Sequence, residues 1–320
     1  MNRQYLFVAL FAFIIFNACK KDQLHFANVQ KIESFSDSDR LGKVIFTDAQ
    51  NGYIVGGKWY IESIVLTTKN GGDTWQRNQN PNVGHLLNSA DIGLDGTIYG
   101  VGFEGKLVHS YDSGKTWIFH QLEHYWFRDI AFTAPDKAII VGGISFGSGM
   151  IQYIDTAGNL LKRDSLKYQL NQIKMVTPQV GYICGFGTVL KTTNGGTTWD
   201  ILNVKGDNFM TMDIHGDTIW MCGNNGGIYQ TTDAGANWKT LRNGNDITGR
   251  SYKLMDIAFK DKLNGWAVGE NGIVIYSDDG GNHWMEYTNF TNNLLTSIAI
   301  CADGRLIAVG DNGSIYKLTR

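Results

Sequence analysis

Apolar and polar residues alternate in short runs along almost the whole chain, and nearly every run closes on Gly, Asn or Asp. GYIVGG (52–57), AIIVGG (138–143), GYICGFG (181–187), GWAVGE (265–270) and LIAVGD (306–311) carry small or β-branched residues up to a glycine, the pattern of a buried strand that ends in a turn. A second kind of run precedes each of them, at 43–46, 129–132, 172–175, 256–259 and 297–300, with shorter forms at Asp91 and Asp213. These read as seven inner strands, each followed by the glycine-ended strand, a third strand and a fourth.

An eight-residue box joins the third strand to the fourth. It occurs as TKNGGDTW (68–75), SYDSGKTW (110–117), TTNGGTTW (192–199), TTDAGANW (231–238) and SDDGGNHW (277–284). Such a string stacks turn formers where a helix needs straight-chain residues, so it predicts a hairpin turn. The step from 110 to 192 is about twice the others, and YIDTAGNL (153–160) fills the gap with Asp155 and Gly158 kept and the Trp lost. One turn per ~40 residues predicts a β-propeller of four-stranded blades.

The final unit ends at GSIYKLTR after its third strand, while residues 24–33 precede the first inner strand with no unit of their own. That segment is therefore expected to supply the outer strand of blade seven and close the ring. In each box the Asp or Asn at the third place (Asn70, Asp112, Asn194, Asp233, Asp279) should accept turn amides. The fifth-place Gly should take a positive φ, and the Trp (Trp75, Trp117, Trp199, Trp238, Trp284) should pack the turn onto the blade.

These strings resemble the Asp-box, or bacterial neuraminidase repeat, of sialidases, other glycan-active propellers and the photosystem II stability and assembly factor family. GWAVGENGIVIYSDDGGNHW (265–284), repeated in form around the chain, most resembles the last group. The resemblance implies an all-β, seven-bladed propeller whose boxes lie away from the functional face. It also implies a non-enzymatic binding or assembly role with a protein partner. The rival class is a glycan-binding or glycoside-hydrolase-type propeller.

Composition narrows the field. The net charge of −2 and the absence of long Lys/Arg runs give no electrostatic footprint for nucleic acid. Arg3 and the apolar residues 5–16, followed by Asn17, Ala18 and Cys19, are too short for a permanent span and suit a signal peptide. Residues 1–18 resemble a lipoprotein signal, with Cys19 lipidated, 19–23 a short tether and 24–320 the propeller. An ordinary secretory signal or an uncleaved anchor is the alternative. The expectation is an exported monomer, touching a bacterial membrane only through lipid. Cys184 and Cys222 occupy the place that Val holds in other units and read as buried hydrophobes.

No nucleophile elbow, His-Glu-x-x-His or phosphate loop occurs, and neither catalytic residues nor a metal or cofactor is expected. The Arg-Ile-Pro signature implied by a sialidase is missing, and the eight Arg beyond residue 19 leave no convincing triad. His120 and His124 have helical metal-ligand spacing but fall where a strand leaves blade two. Asp91, Asp129, Asp213 and Asp256 read as equivalent channel positions, which either hold a cation or water chain or bond to neighbouring blade backbones. A glycosidase would have only Glu104, Glu123 and Asp129 near Trp126 to use. On the face opposite the boxes, blades one and three carry longer loops. Trp59, Tyr60, His85, Phe103, Tyr125, Trp126, Arg128 and Phe146 are expected to converge there as a binding sector or to fold back over blade edges.

Overall fold

The computed structural model describes residues 23–32, 36, 38–78, 84–93, 95–122, 124–204, 206–244 and 252–320. Seven antiparallel sheets of four strands ring a central channel, each inner strand packing against those of its two neighbours. The inner strands are Arg40–Phe46, Leu87–Ile92, Phe127–Ala134, Leu170–Met175, Phe209–His215, Leu254–Phe259 and Leu295–Ile300. The seven-bladed all-β fold is the one the repeats predict. The signal segment, Cys19 and all of the tether except Gln23 lie outside the described residues.

The glycine that ends each second strand has a steric cause. In six blades it lies against the main-chain carbonyl of the residue just ahead of the inner strand or of that strand's first residue (Arg40, Leu86, Trp126, Gln169, Lys253, Leu294), where a Cβ would collide with the oxygen. In blade five Gly223 meets the Asp207 side chain instead. The core lies between blades: Leu41, Ile54, Leu66 and Trp75 of blade one pack with Ile307, Val309 and Ile315 of blade seven.

The box turns obey their sequence. The third-place side chain accepts the amide of the seventh residue, at 3.0 Å for Asn70, 2.8 Å for Asp112, 3.0 Å for Asn194, 2.8 Å for Asp233 and 2.9 Å for Asp279. Gly72, Gly114, Gly196, Gly235 and Gly281 hold φ between +82° and +94°, which only glycine adopts without strain. The degenerate turn keeps the first bond, Asn159 N to Asp155 Oδ1 at 2.8 Å, but its left-handed glycine is the sixth residue, Gly158.

Closure follows the predicted route. Strand Asn28–Ile32 pairs antiparallel with Ile315–Thr319 as the outer strand of blade seven. Just before it, Leu24 forms a parallel bridge to Tyr287 of blade six, and Phe26 stacks on Tyr287 at 3.8 Å between ring centroids. The N-terminal segment thus staples two blades.

Candidate protein-binding face

The face opposite the boxes is built from turns between second and third strands and from the links between blades. In blade one the turn between Gly52–Lys58 and Glu62–Thr68 carries Trp59 and Tyr60. Its base is tied by Lys58 to Glu62 at 3.1 Å and by Arg77 to Glu62 at 2.7 Å. Tyr60 takes φ +60°, a left-handed conformation that costs an L-residue roughly 1–2 kcal/mol.

Phe103, in the matching turn of blade two, is the hub on which these rings meet. Trp59, Tyr60 and Trp126 lie 5.2, 4.8 and 4.7 Å from it, and His85 at 6.0 Å stacks on it while its Nε2 pairs with Glu104 Oε2 at 3.1 Å. Trp59 and Tyr60 remain 44% and 63% exposed, whereas Phe103 is 2% exposed and works as a support beneath them.

Three of the expected residues stand apart. Tyr125 packs onto the core between blades two and three under the Arg163 guanidinium. Phe146 pairs with Phe186 of blade four at 4.9 Å, both exposed beside Ile144, so the apolar surface reaches one blade farther than the sequence indicated. Arg128 lies at the channel mouth, its Nη2 donating to Gln169 Oε1 at 3.1 Å and its Nε buried without a partner among the described residues. Burial there, reinforced by repulsion from Arg40, pulls the guanidinium down to about 10.

Sequence reasoning missed what places Arg128. Each inner strand bulges near its start as it meets the second strand, at Gly42, Asn88, Arg128, Asn171, Met210, Met255 and Thr296, and blade three bulges again between Phe132 and Ala134. A bulge re-aims its side chain out of the strand's alternation. These seven residues line a cavity of about 120 Å³ at the channel mouth. Nothing in residue type marks them, since the bulged position accepts Gly, Asn, Arg, Met and Thr alike.

Inside the channel the Asp residues form two tiers and not one ring. Lys43, Ser89, Asp129, Gln172, Thr211, Asp256 and Ser297 occupy the equivalent place, each opposite the Val or Cys of its second strand. Asp91 and Asp213 lie two residues farther along, opposite Tyr99 and Trp220. Each carboxylate stitches its blade to the next: Asp129 accepts Ile173 N at 3.0 Å, Asp256 accepts Ile298 N at 3.0 Å, Asp91 accepts Phe132 N at 3.2 Å and Asp213 accepts Phe259 N at 2.7 Å. Burial pushes the Asp129 carboxyl up to about 6, against the Ser89 hydroxyl bonded to it at 2.6 Å. Burial would also raise Asp213, but Lys174 at 2.6 Å and His215 outweigh it and hold that carboxyl well below its usual range.

This chemistry is structural in kind. Glu104 is engaged by His85, Asp129 is bonded within the channel wall, and Glu123 lies outside the described residues. His120 stacks on His109 at 5.0 Å, while His124 is exposed on a turn. Cys184 and Cys222 are fully buried, with thiols pushed well up and up to about 12 by desolvation. Among the described residues no group of three His, Cys, Asp or Glu is placed to hold a metal ion.

The family model for the photosynthesis system II assembly factor YCF48 matches residues 122–246 and 242–319, more than half of the chain. The chain belongs to the YCF48 family. The matched residues cover blades three to seven, so Trp59, Tyr60, His85 and Phe103 fall outside them. A photosystem II assembly lipoprotein Ycf48 of Synechococcus sp. (strain CC9902) is 21% identical over 187 residues, 56% of this chain and 55% of the relative. The chain thus aligns with about half the length of that curated relative. Among solved structures, YCF48 bound to D1 peptide superposes with a TM-score of 0.70 at 17% identity, over 93% of this chain and 97% of that one. YCF48 from Cyanidioschyzon merolae gives 0.68 at 17%, over 92% and 99%. The WD40 propeller of Doa1 also reaches 0.70, at 12% identity over 92% and 96%, so these superpositions speak for the fold alone.

Proposed function

We propose that this YCF48-family chain is a non-enzymatic scaffold that captures a segment of another protein on the face opposite its boxes. The carrying observation is the aromatic surface on that face: Trp59, Tyr60 and Trp126 held up by buried Phe103, with Phe146 and Phe186 beyond them. Trp59, Tyr60, Phe146 and Phe186 are exposed and Trp126 is half-buried, and large apolar side chains left at the surface of one face mark a protein-interaction site. Tyr60 adds support, because a strained aromatic residue at a turn tip is a feature retained at binding sites. A solved relative is YCF48 bound to D1 peptide, so an extended peptide is the ligand class to test first.

The glycan reading is the weaker one. A glycosidase needs two free carboxylates on one aromatic platform, and both described candidates, Glu104 and Asp129, are engaged by neighbours. The proposal includes export and a lipid anchor at Cys19, as the name of the Synechococcus relative encourages. The chain works as a monomer, without nucleic acid, metal or cofactor.

The test is capture of partners from native membranes by the full chain. Trp126→Ala or Trp59→Ala should weaken capture by roughly 1–4 kcal/mol with unchanged melting, as expected of aromatic interface anchors. Unaltered capture by both variants would overturn the proposed face. Radiolabelled palmitate should enter the wild type and not Cys19→Ala; equal labelling of the two would remove the anchor.

A further inference from the structure

The short tether and the place where the chain joins the propeller together set an orientation. Leu24 N donates to Glu286 O at 3.1 Å, and Thr288 N donates to Leu24 O at 2.8 Å, around a parallel bridge to Tyr287. The blade-six strand Met285–Glu286 starts directly after the box residue Trp284 and rises toward the opposite face. A parallel partner rises with it, so the chain enters the propeller at Gln23 from the box-face end, at the rim of blades six and seven.

Cys19 and Gln23 are four residues apart, a reach of at most about 14 Å even when fully extended. A domain of this size has a radius of gyration of roughly 19 Å, so the tether is shorter than the body it holds and the body cannot turn over on it. The same face of blade six offers Leu263, 57% exposed, directly after the exposed run Lys260, Asp261 and Lys262, an apolar tip beside a short segment of net charge +1 that suits the anionic boundary of a bilayer.

We infer that the lipid at Cys19 holds the propeller with its box face toward the bilayer, blades six and seven nearest, and so turns the aromatic face away from the membrane. This rests on the lipid-anchor part of the proposed function. Partner segments would then be met at the far side of the propeller, clear of the lipid headgroups.

Two single reporters on blade six test it: Leu263→Cys on the box face and Asn292→Cys on the opposite face, each carrying a thiol-reactive fluorophore. Cys184, Cys222 and Cys301 are buried and leave each reporter as the labelled site. The lipidated full chain is added to preformed phosphatidylcholine–phosphatidylglycerol vesicles containing a nitroxide-headgroup lipid. Quenching should be several-fold stronger at 263 than at 292. Equal quenching, or the reverse, overturns the orientation.

Inserting twenty Gly/Ser residues between Lys21 and Asp22, an added span of roughly 25 Å, should erase the contrast while the protein still sediments with the vesicles. A contrast that survives the insertion overturns the tether as its cause. Failure to sediment at all removes the anchor itself, which is distinct from sedimentation with the wrong reporter quenched. Neither outcome bears on capture measured in detergent, so the binding face stands or falls separately.

Discussion

A side chain's role here depends on how deeply it lies beneath its face. Phe103 and Trp126 are both aromatic, 4.7 Å apart and on the same face, yet only Phe103 is sealed beneath the others. Phe103→Ala should therefore cost about 3–5 kcal/mol of stability, the usual toll for emptying a buried aromatic site, and denaturant unfolding would show it. A loss of binding with stability unchanged would instead make Phe103 a contact residue. Asp129 offers a second test, in pH. Its folded-state value, about 6, lies above that of an unfolded Asp, near 3.9, so its contribution is fully present below about pH 4 and is lost as pH rises through 6. A gap of that size corresponds to about 3 kcal/mol. Asp129→Asn should flatten the fall in stability between pH 4 and 7, measured by urea unfolding at each pH; an unchanged slope would mean that the carboxyl titrates normally.

At the scale of strands and turns, the sequence was most legible where one geometry demands one residue type. The box turns need left-handed glycine and an acceptor two residues earlier, and both recur at readable spacing. The inner-strand bulges were invisible because that geometry tolerates almost any side chain. The channel carboxylates were misread for a related reason: a strand repeats every two residues, so a slip of two keeps Asp91 and Asp213 facing the channel and leaves no trace in the polar pattern. The candidate site was legible in part. Turn length and aromatic content located Trp59, Tyr60 and Trp126, but not which ring would be buried or that Phe186 of the next blade would join Phe146. Box tryptophans are the converse of the loop aromatics. Trp199 donates from Nε1 to Tyr153 OH of the preceding blade at 3.1 Å, and Trp284 packs with Trp220, Phe259 and Leu241. Trp199→Ala or Trp284→Ala should lower stability by about 2–4 kcal/mol while partner capture per folded molecule stays constant; a capture defect in fully folded protein would contradict the division of faces.

Across the whole molecule, stability depends on a ring that closes through its first described strand. Blade seven takes three strands from the C-terminal end and one from Asn28–Ile32, so the first described strand and the last pair directly, Asn28 with Thr319. Without that strand, Ile315–Thr319 becomes an open edge, and its unpaired amides and carbonyls invite pairing with another chain. The Leu24 bridge and the Phe26–Tyr287 stack extend the loss to blade six. Deleting residues 23–32 should therefore lower the melting temperature of the whole propeller in a single transition and promote association, whereas deleting residues 1–22 should leave melting unchanged. Phe26→Ala isolates the staple from the strand: it removes one stacked ring, keeps the blade-seven pairing and should give an intermediate loss of about 1–3 kcal/mol. A deletion of 23–32 that melts like the wild type, by calorimetry at matched concentration, would show that the ring holds without its closing strand and that the segment merely rests on blades six and seven.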